Sequence, residues 1–135
     1  MNAGPRILLI GAAADTLAAL ARNCPREDIA VFADAQSVLA FLSDAGAGVP
    51  PRPRLIVIDN AGDATAAVAA LKKTDAVSAL LPLVVIAGAA EHDACYRAGA
   101  NACLSKPPAL GALAEAVAAI VAFWLSVNEL PKGTD

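Results

Sequence analysis

Aromatic residues are scarce, at 4% of the 135-residue chain: one tryptophan, one tyrosine and three phenylalanines. Charge is thin as well, with 17% Asp, Glu, Lys and Arg and a net charge of −3. Clustered basic residues are missing. Lys72-Lys73 is the only adjacent basic pair, and Arg52 and Arg54 merely flank Pro53. Nucleic acid and an anionic membrane surface both need such clusters, so neither is expected as the main partner. The cysteines Cys24, Cys95 and Cys103 are odd in number and lack a CxxC spacing. That excludes a disulfide framework or a zinc site and points to a reducing, cytoplasmic setting. A signal-peptide layout is also absent, since the N-terminus runs straight into an apolar strand.

What is abundant is small apolar surface. Hydrophobic residues make up 58% of the chain, much of it alanine. This excludes a disordered chain and suits helix–sheet packing better than a large ligand cavity. The length is one domain's worth, taken as 1–135. Short apolar runs recur at Arg6–Ile10, Ile29–Phe32, Leu55–Ile58, Leu83–Ile86 and Ala102–Ser105. Between them lie helical patterns at Asp15–Ala21, Ala35–Ser43, Asp63–Lys73 and Glu91–Arg97, and a long one from Ala109 to Leu130. Asp15 and Asp63 are candidate N-caps, and Gly99 ends the fourth helix. Each strand is a continuous apolar run, so both faces must be covered. The expected fold is α/β and flavodoxin-like: a (βα)5 doubly wound parallel sheet of five strands, with helices on both faces.

In such sheets the chemistry collects beyond the carboxyl ends of the strands. There stand Gly11 and Ala12, Asp59, Ala87 and Lys106. Asp59 and Lys106 are the informative pair, because a carboxylate facing an ammonium suits phosphoryl acceptance as well as a plain salt bridge. Gly11-Ala-Ala-Ala-Asp15 lacks the second and third glycines of a dinucleotide loop. His92, the single histidine, sits beside Glu91 and Asp93 and is expected on the solvated surface. Cys95 and Cys103 are expected as small core residues.

The chain resembles the receiver domain of two-component response regulators over essentially its whole length. The resemblance rests on Arg6–Ile10, Leu55-Ile-Val-Ile-Asp59, Leu81–Ile86 and above all Arg97-Ala-Gly-Ala-Asn-Ala-Cys-Leu-Ser-Lys-Pro107. Tyr96 and the tail Phe123-Trp-Leu-Ser-Val-Asn-Glu-Leu-Pro131 are similar to the stand-alone regulators associated with phytochromes. The resemblance implies Asp59 as phosphoacceptor position and Lys106 as its phosphate-pairing lysine. It implies a sensor histidine kinase or other signalling protein as partner, and a homodimer through the fourth helix, fifth strand and fifth helix. No output domain is expected, and the chain is not expected to be an enzyme.

The departures fall on the switch. The acidic pair that holds Mg²⁺ in the family is replaced by Gly11 and Ala12, leaving a weak site at Asp59 at most. No metal or other cofactor is therefore expected. The hydroxyl after the fourth strand is Ala87, and the switch aromatic of the fifth is Cys103. The expectation is a pseudo-receiver acting by protein–protein interaction, with phosphorylation at Asp59 impaired or absent. Two alternatives stand beside it: a working phosphoacceptor with an unusual metal arrangement, and a small flavodoxin-like ligand-binding protein or enzyme. The last helix is apolar on two sides. Leu113, Val117 and Ile120 oppose Ala112, Ala116, Ala119 and Phe123, so Phe123, Trp124 and Tyr96 are interface candidates.

Overall fold

The computed structural model describes residues 5–11, 14–45, 53–59, 63–72, 81–107 and 109–127. Five strands alternate with helices: β1 (Ile7–Ile10), α1 (Ala14–Ala21), β2 (Ile29–Phe32), α2 (Ala35–Ala45), β3 (Leu55–Asp59), α3 (Ala64–Lys72), β4 (Leu83–Ile86), α4 (Ala89–Ala98), β5 (Ala102–Leu104) and α5 (Leu110–Val121). The strands form one parallel sheet in the order β2-β1-β3-β4-β5. This is the expected flavodoxin-like, doubly wound arrangement.

The strand period of two explains why each apolar run is continuous. Leu8, Ile10, Ile56, Ile58, Leu83 and Val85 face one side and pack on Val38 and Leu42 of α2, Val68 and Leu71 of α3, and Cys95 of α4. Ile7, Leu9, Leu55, Val57, Val84 and Ile86 face the other and pack on Leu20 of α1 and on Leu113, Val117 and Val121 of α5. With a core on each side, an outward polar alternation has no place in β1, β3 or β4.

Helix boundaries shift modestly. α2 runs two residues beyond its expected end, and α4 starts at Ala89 rather than Glu91. Asp63 caps α3 as expected, its Oδ1 accepting the Ala66 N–H at 3.0 Å. Asp34, which the pattern did not single out, caps α2 by accepting both Ser37 N–H and Ser37 Oγ–H at 2.8 Å. The last helix is α-helical to Val121 and then widens to a π-turn over Ala122–Val127. Its expected end at Leu130 lies outside the described residues. Both outer strands meet a side chain that blunts an exposed edge. Arg26 Nη1 donates to the Ile29 carbonyl of β2 at 2.6 Å. The Cys103 N–H of β5 donates to the Tyr96 hydroxyl at 3.0 Å.

Gly99 closes α4 at φ 122°, with the Ala100 N–H returning to the Cys95 carbonyl at 3.0 Å. A Cβ there would stand 2.9 Å from Lys72 Cγ. Gly99→Ala therefore combines a left-handed backbone with a clash. It should cost about 1–2 kcal/mol, read as a lower urea midpoint at unchanged slope.

Candidate functional site

The site lies where β1, β3, β4 and β5 end. Asp59 is the last residue of β3 and is 2% exposed. Lys106 follows β5 by two residues. Its Nζ lies 2.9 Å from Asp59 Oδ2, so the two residues singled out by their strand-end positions do meet.

Two further residues join them, both from α1. Lys106 Nζ also lies 3.0 Å from Asp15 Oδ1. The Thr16 hydroxyl, fully buried, donates to Asp59 Oδ2. Asp15 is expected as the N-cap of α1. Instead it is the second residue of the helix, accepts the Thr16 N–H at 2.9 Å, and turns its carboxylate to the lysine. Helix advances about 1.5 Å per residue where extended chain advances more than twice that, so the first turn of α1 keeps Asp15 and Thr16 within reach of Lys106 and Asp59. Thr16 was missed altogether. Its signal was the spacing Thr16, Ala19, Leu20, which puts the hydroxyl on the buried face of α1.

The electrostatics follow from this geometry. The hydrogen bond from Lys106 holds the Asp15 carboxyl below the usual carboxylate range, against the opposing pull of burial. Burial pulls the Lys106 ammonium down, but its hydrogen bonds to Asp59 and Asp15, and their charges, outweigh that and hold it above the ordinary lysine value. One ammonium thus bridges two carboxylates, and the buried one has a hydroxyl donor as well.

The other predicted positions supply no side-chain ligand. Gly11 follows β1 at φ 122°, its N–H bound to the Phe32 carbonyl at 2.9 Å. An acidic side chain there would have to enter a backbone conformation that L-residues avoid. Ala12 lies outside the described residues. Ala87 gives only its backbone, donating to the Leu104 carbonyl at 3.0 Å. His92 differs from its expected solvated state: it is half-buried, and its Nε2 lies 2.9 Å from the Ala87 carbonyl oxygen. Cys103 is half-buried beneath α4, its thiol 3.8 Å from the His92 carbonyl. Burial, with Cys95 beside it, pushes that thiol up to about 11. Tyr96 and Phe123 are exposed, at 49% and 47%, while Trp124 is half-buried against the α1/α5 core and meets Phe123 edge-on at 4.8 Å.

A receiver fold implies Mg²⁺ at this end of the sheet, and the described donors do not fit it. Octahedral Mg²⁺ takes oxygen ligands and usually one or two free carboxylates. Here Asp59 Oδ2 already accepts from Thr16 and Lys106, Asp15 is tied to the same ammonium, and position 11 has no side chain. Among the described residues no group of three or more His, Cys, Asp or Glu is placed to hold a metal. Nor is any described helix long and apolar enough to cross a membrane.

No family model matches the sequence, and a search of curated proteins returns no match. Solved structures do match. The chain is similar to the phosphorylated cyanobacterial phytochrome response regulator RcpA, at 22% identity and a TM-score of 0.74, over 96% of this chain and 100% of that one. It is similar to a response regulator in red-light signalling of R. palustris, at 21% identity and a TM-score of 0.75, over 95% and 99% of the two chains. A third is the Mn²⁺-bound response regulator Rcp1, at 24% identity and a TM-score of 0.71, over 94% and 99%. The fold is the receiver fold, along the full length of these relatives.

Proposed function

We propose that this chain is a signalling domain of the receiver type that works by protein–protein contact, with phosphorylation at Asp59 impaired or absent. The observation that carries this is the state of the Asp59 carboxylate. It is 2% exposed and already bonded by the Thr16 hydroxyl and the Lys106 ammonium. A phosphoacceptor must offer an oxygen for in-line attack and must have the developing charge neutralised, usually by a metal. Gly11 and Ala87 add no side-chain oxygen to help. The partner class this fits is a sensor kinase or another signalling protein in the cytoplasm. The exposed rings of Tyr96 on α4 and Phe123 just past α5 support the α4–β5–α5 side as the contact surface, and a second copy of the chain is one occupant that this surface suits.

A second reading has one observation in its favour. Asp15 brings a second carboxylate to the lysine, so a phosphoacceptor with an unusual metal arrangement has some of its parts. Titration with Mg²⁺ and then beryllofluoride, a mimic of aspartyl phosphate, separates the two. Backbone amide shifts at Asp59 and Lys106 should stay unchanged at millimolar Mg²⁺ and after beryllofluoride. Saturable shifts spreading from Asp59 into β5 and α5 would replace the first reading by the second.

A further inference from the structure

At the opposite end of the strands the charge is arranged differently. β2, β1 and β3 lie side by side, with Ile7 in register with Ile29 and Leu55. The ladder continues one residue earlier: Arg6 N–H donates to the Asp28 carbonyl and Arg54 N–H to the Arg6 carbonyl, both at 2.8 Å. Arg6, Asp28 and Arg54 therefore leave the sheet in a row. By strand alternation Arg6 and Arg54 lie on the side that buries Leu8 and Ile56, while Asp28 closes the 3-10 turn Arg26–Asp28 that leads into β2.

Two guanidinium groups share that row with one carboxylate. Arg6 Nη1 is 3.6 Å from Asp28 Oδ2, long for a charge-assisted bond. Arg54 makes no ion pair among the described residues, and its buried Nε has no hydrogen-bond partner. A buried donor on a permanently charged group calls for an acceptor. Neighbouring strands set the two arginines only about 5 Å apart at the backbone, so two like charges share this end of the sheet with the single carboxylate of Asp28. Both are preceded by proline, Pro5 and Pro53, and Pro53 is buried. The fixed proline φ stiffens the lead-in to each strand and reduces the ordering needed to bind.

We propose that Arg6 and Arg54 form an oxyanion site that takes a phosphate-monoester-type dianion between their guanidinium forks. A single carboxylate satisfies one fork, whereas the oxygens of a phosphoryl group reach two. The group can be carried by a free phosphate or by a lipid headgroup. The site is remote from Asp59, so it stands or falls independently of the function proposed above.

Inorganic phosphate, titrated at constant ionic strength against chloride, is the probe. Saturable amide shifts should appear at Arg6, Asp28, Arg54 and Leu55. Arg54→Gln and Arg6→Gln should each weaken them at least about tenfold, the usual effect of losing a hydrogen bond to a charged group. Arg54→Lys keeps the charge without the fork and should also bind more weakly. It serves as the variant if glutamine at that half-buried position impairs folding. Cosedimentation with phosphatidylcholine vesicles, with and without phosphatidic acid, assigns the source. Binding that needs phosphatidic acid and Arg54 points to a headgroup, and phosphate shifts without sedimentation point to a free phosphate. Shifts equal to those with chloride, or unchanged in both Arg54 variants, would overturn the proposal.

Discussion

Lys106→Met should destabilise the protein by about 2–3 kcal/mol, read as a lower urea midpoint at unchanged slope. The reason is the burial of Asp59. Its side chain is 3% exposed, so removing the ammonium leaves a carboxylate with the Thr16 hydroxyl as its remaining partner among the described residues. The loss falls below that of a fully buried broken pair because Lys106 itself is 31% exposed. The double variant Lys106→Met, Asp59→Asn should recover most of the loss. A neutral amide can still accept from the Thr16 hydroxyl and carries no charge to strand. Losses that simply add in the double variant would show that the pair is not coupled, and the buried network would lose its energetic basis.

Lys106 and Asp15 set a pH window. The folded Lys106 is held above its ordinary value of 10.5, so its contribution is complete below that value and is lost as the pH rises through the higher folded one. The folded Asp15 is held below 3.8, so its contribution is complete above that value and fades as the pH falls through the lower folded one. Between these limits the network's contribution should be flat. Thermal melts of the wild type and Lys106→Met should differ by a constant amount there and converge at strongly alkaline pH.

Leu113→Ala should cost about 3 kcal/mol, the usual loss for a buried leucine whose cavity persists. Leu113 is 2% exposed on the inner face of α5 and shares its cluster with Leu20 of α1 and Val117. α5 itself should survive, since alanine is the best helix former, so the loss reports packing rather than helicity. Phe123→Ala, at an exposed position in the π-turn that follows α5, is the control. At low protein concentration it should change stability by less than about 0.5 kcal/mol. A loss that grows with protein concentration would mean that this face is covered by a second copy. A small effect of Leu113→Ala would mean that α5 can close over the gap and is held to the sheet less firmly than its burial indicates.

Much of the architecture was legible because it is local. Runs such as Leu55–Ile58 and Leu83–Ile86 are apolar at every position, and only a sheet covered on both sides has room for that. The helix breaks at Pro25, Gly99 and Pro107 punctuate the alternation. Asp59 and Lys106 were legible as a pair because each stands just past an apolar strand, and parallel strands bring such positions to one edge. Less was legible of α1. Asp15 lies five residues beyond Ile10, roughly 17 Å of extended chain, so proximity along the sequence argued against it. Thr16 looked like an ordinary helix residue.

The sequence by itself thus determined the parallel sheet, its double covering and the meeting of Asp59 with Lys106. It also determined that positions 11 and 87 carry no side-chain oxygen. These follow from residue type and periodicity alone. Only the tertiary structure decided that α1 turns Asp15 and Thr16 onto the same edge, because that depends on how α1 docks against α5 and the sheet. It likewise decided that Arg6 and Arg54, 48 positions apart in the chain, start adjacent strands in register. Contacts of that range have no local signature: the register of neighbouring strands is set by the packing of the whole core.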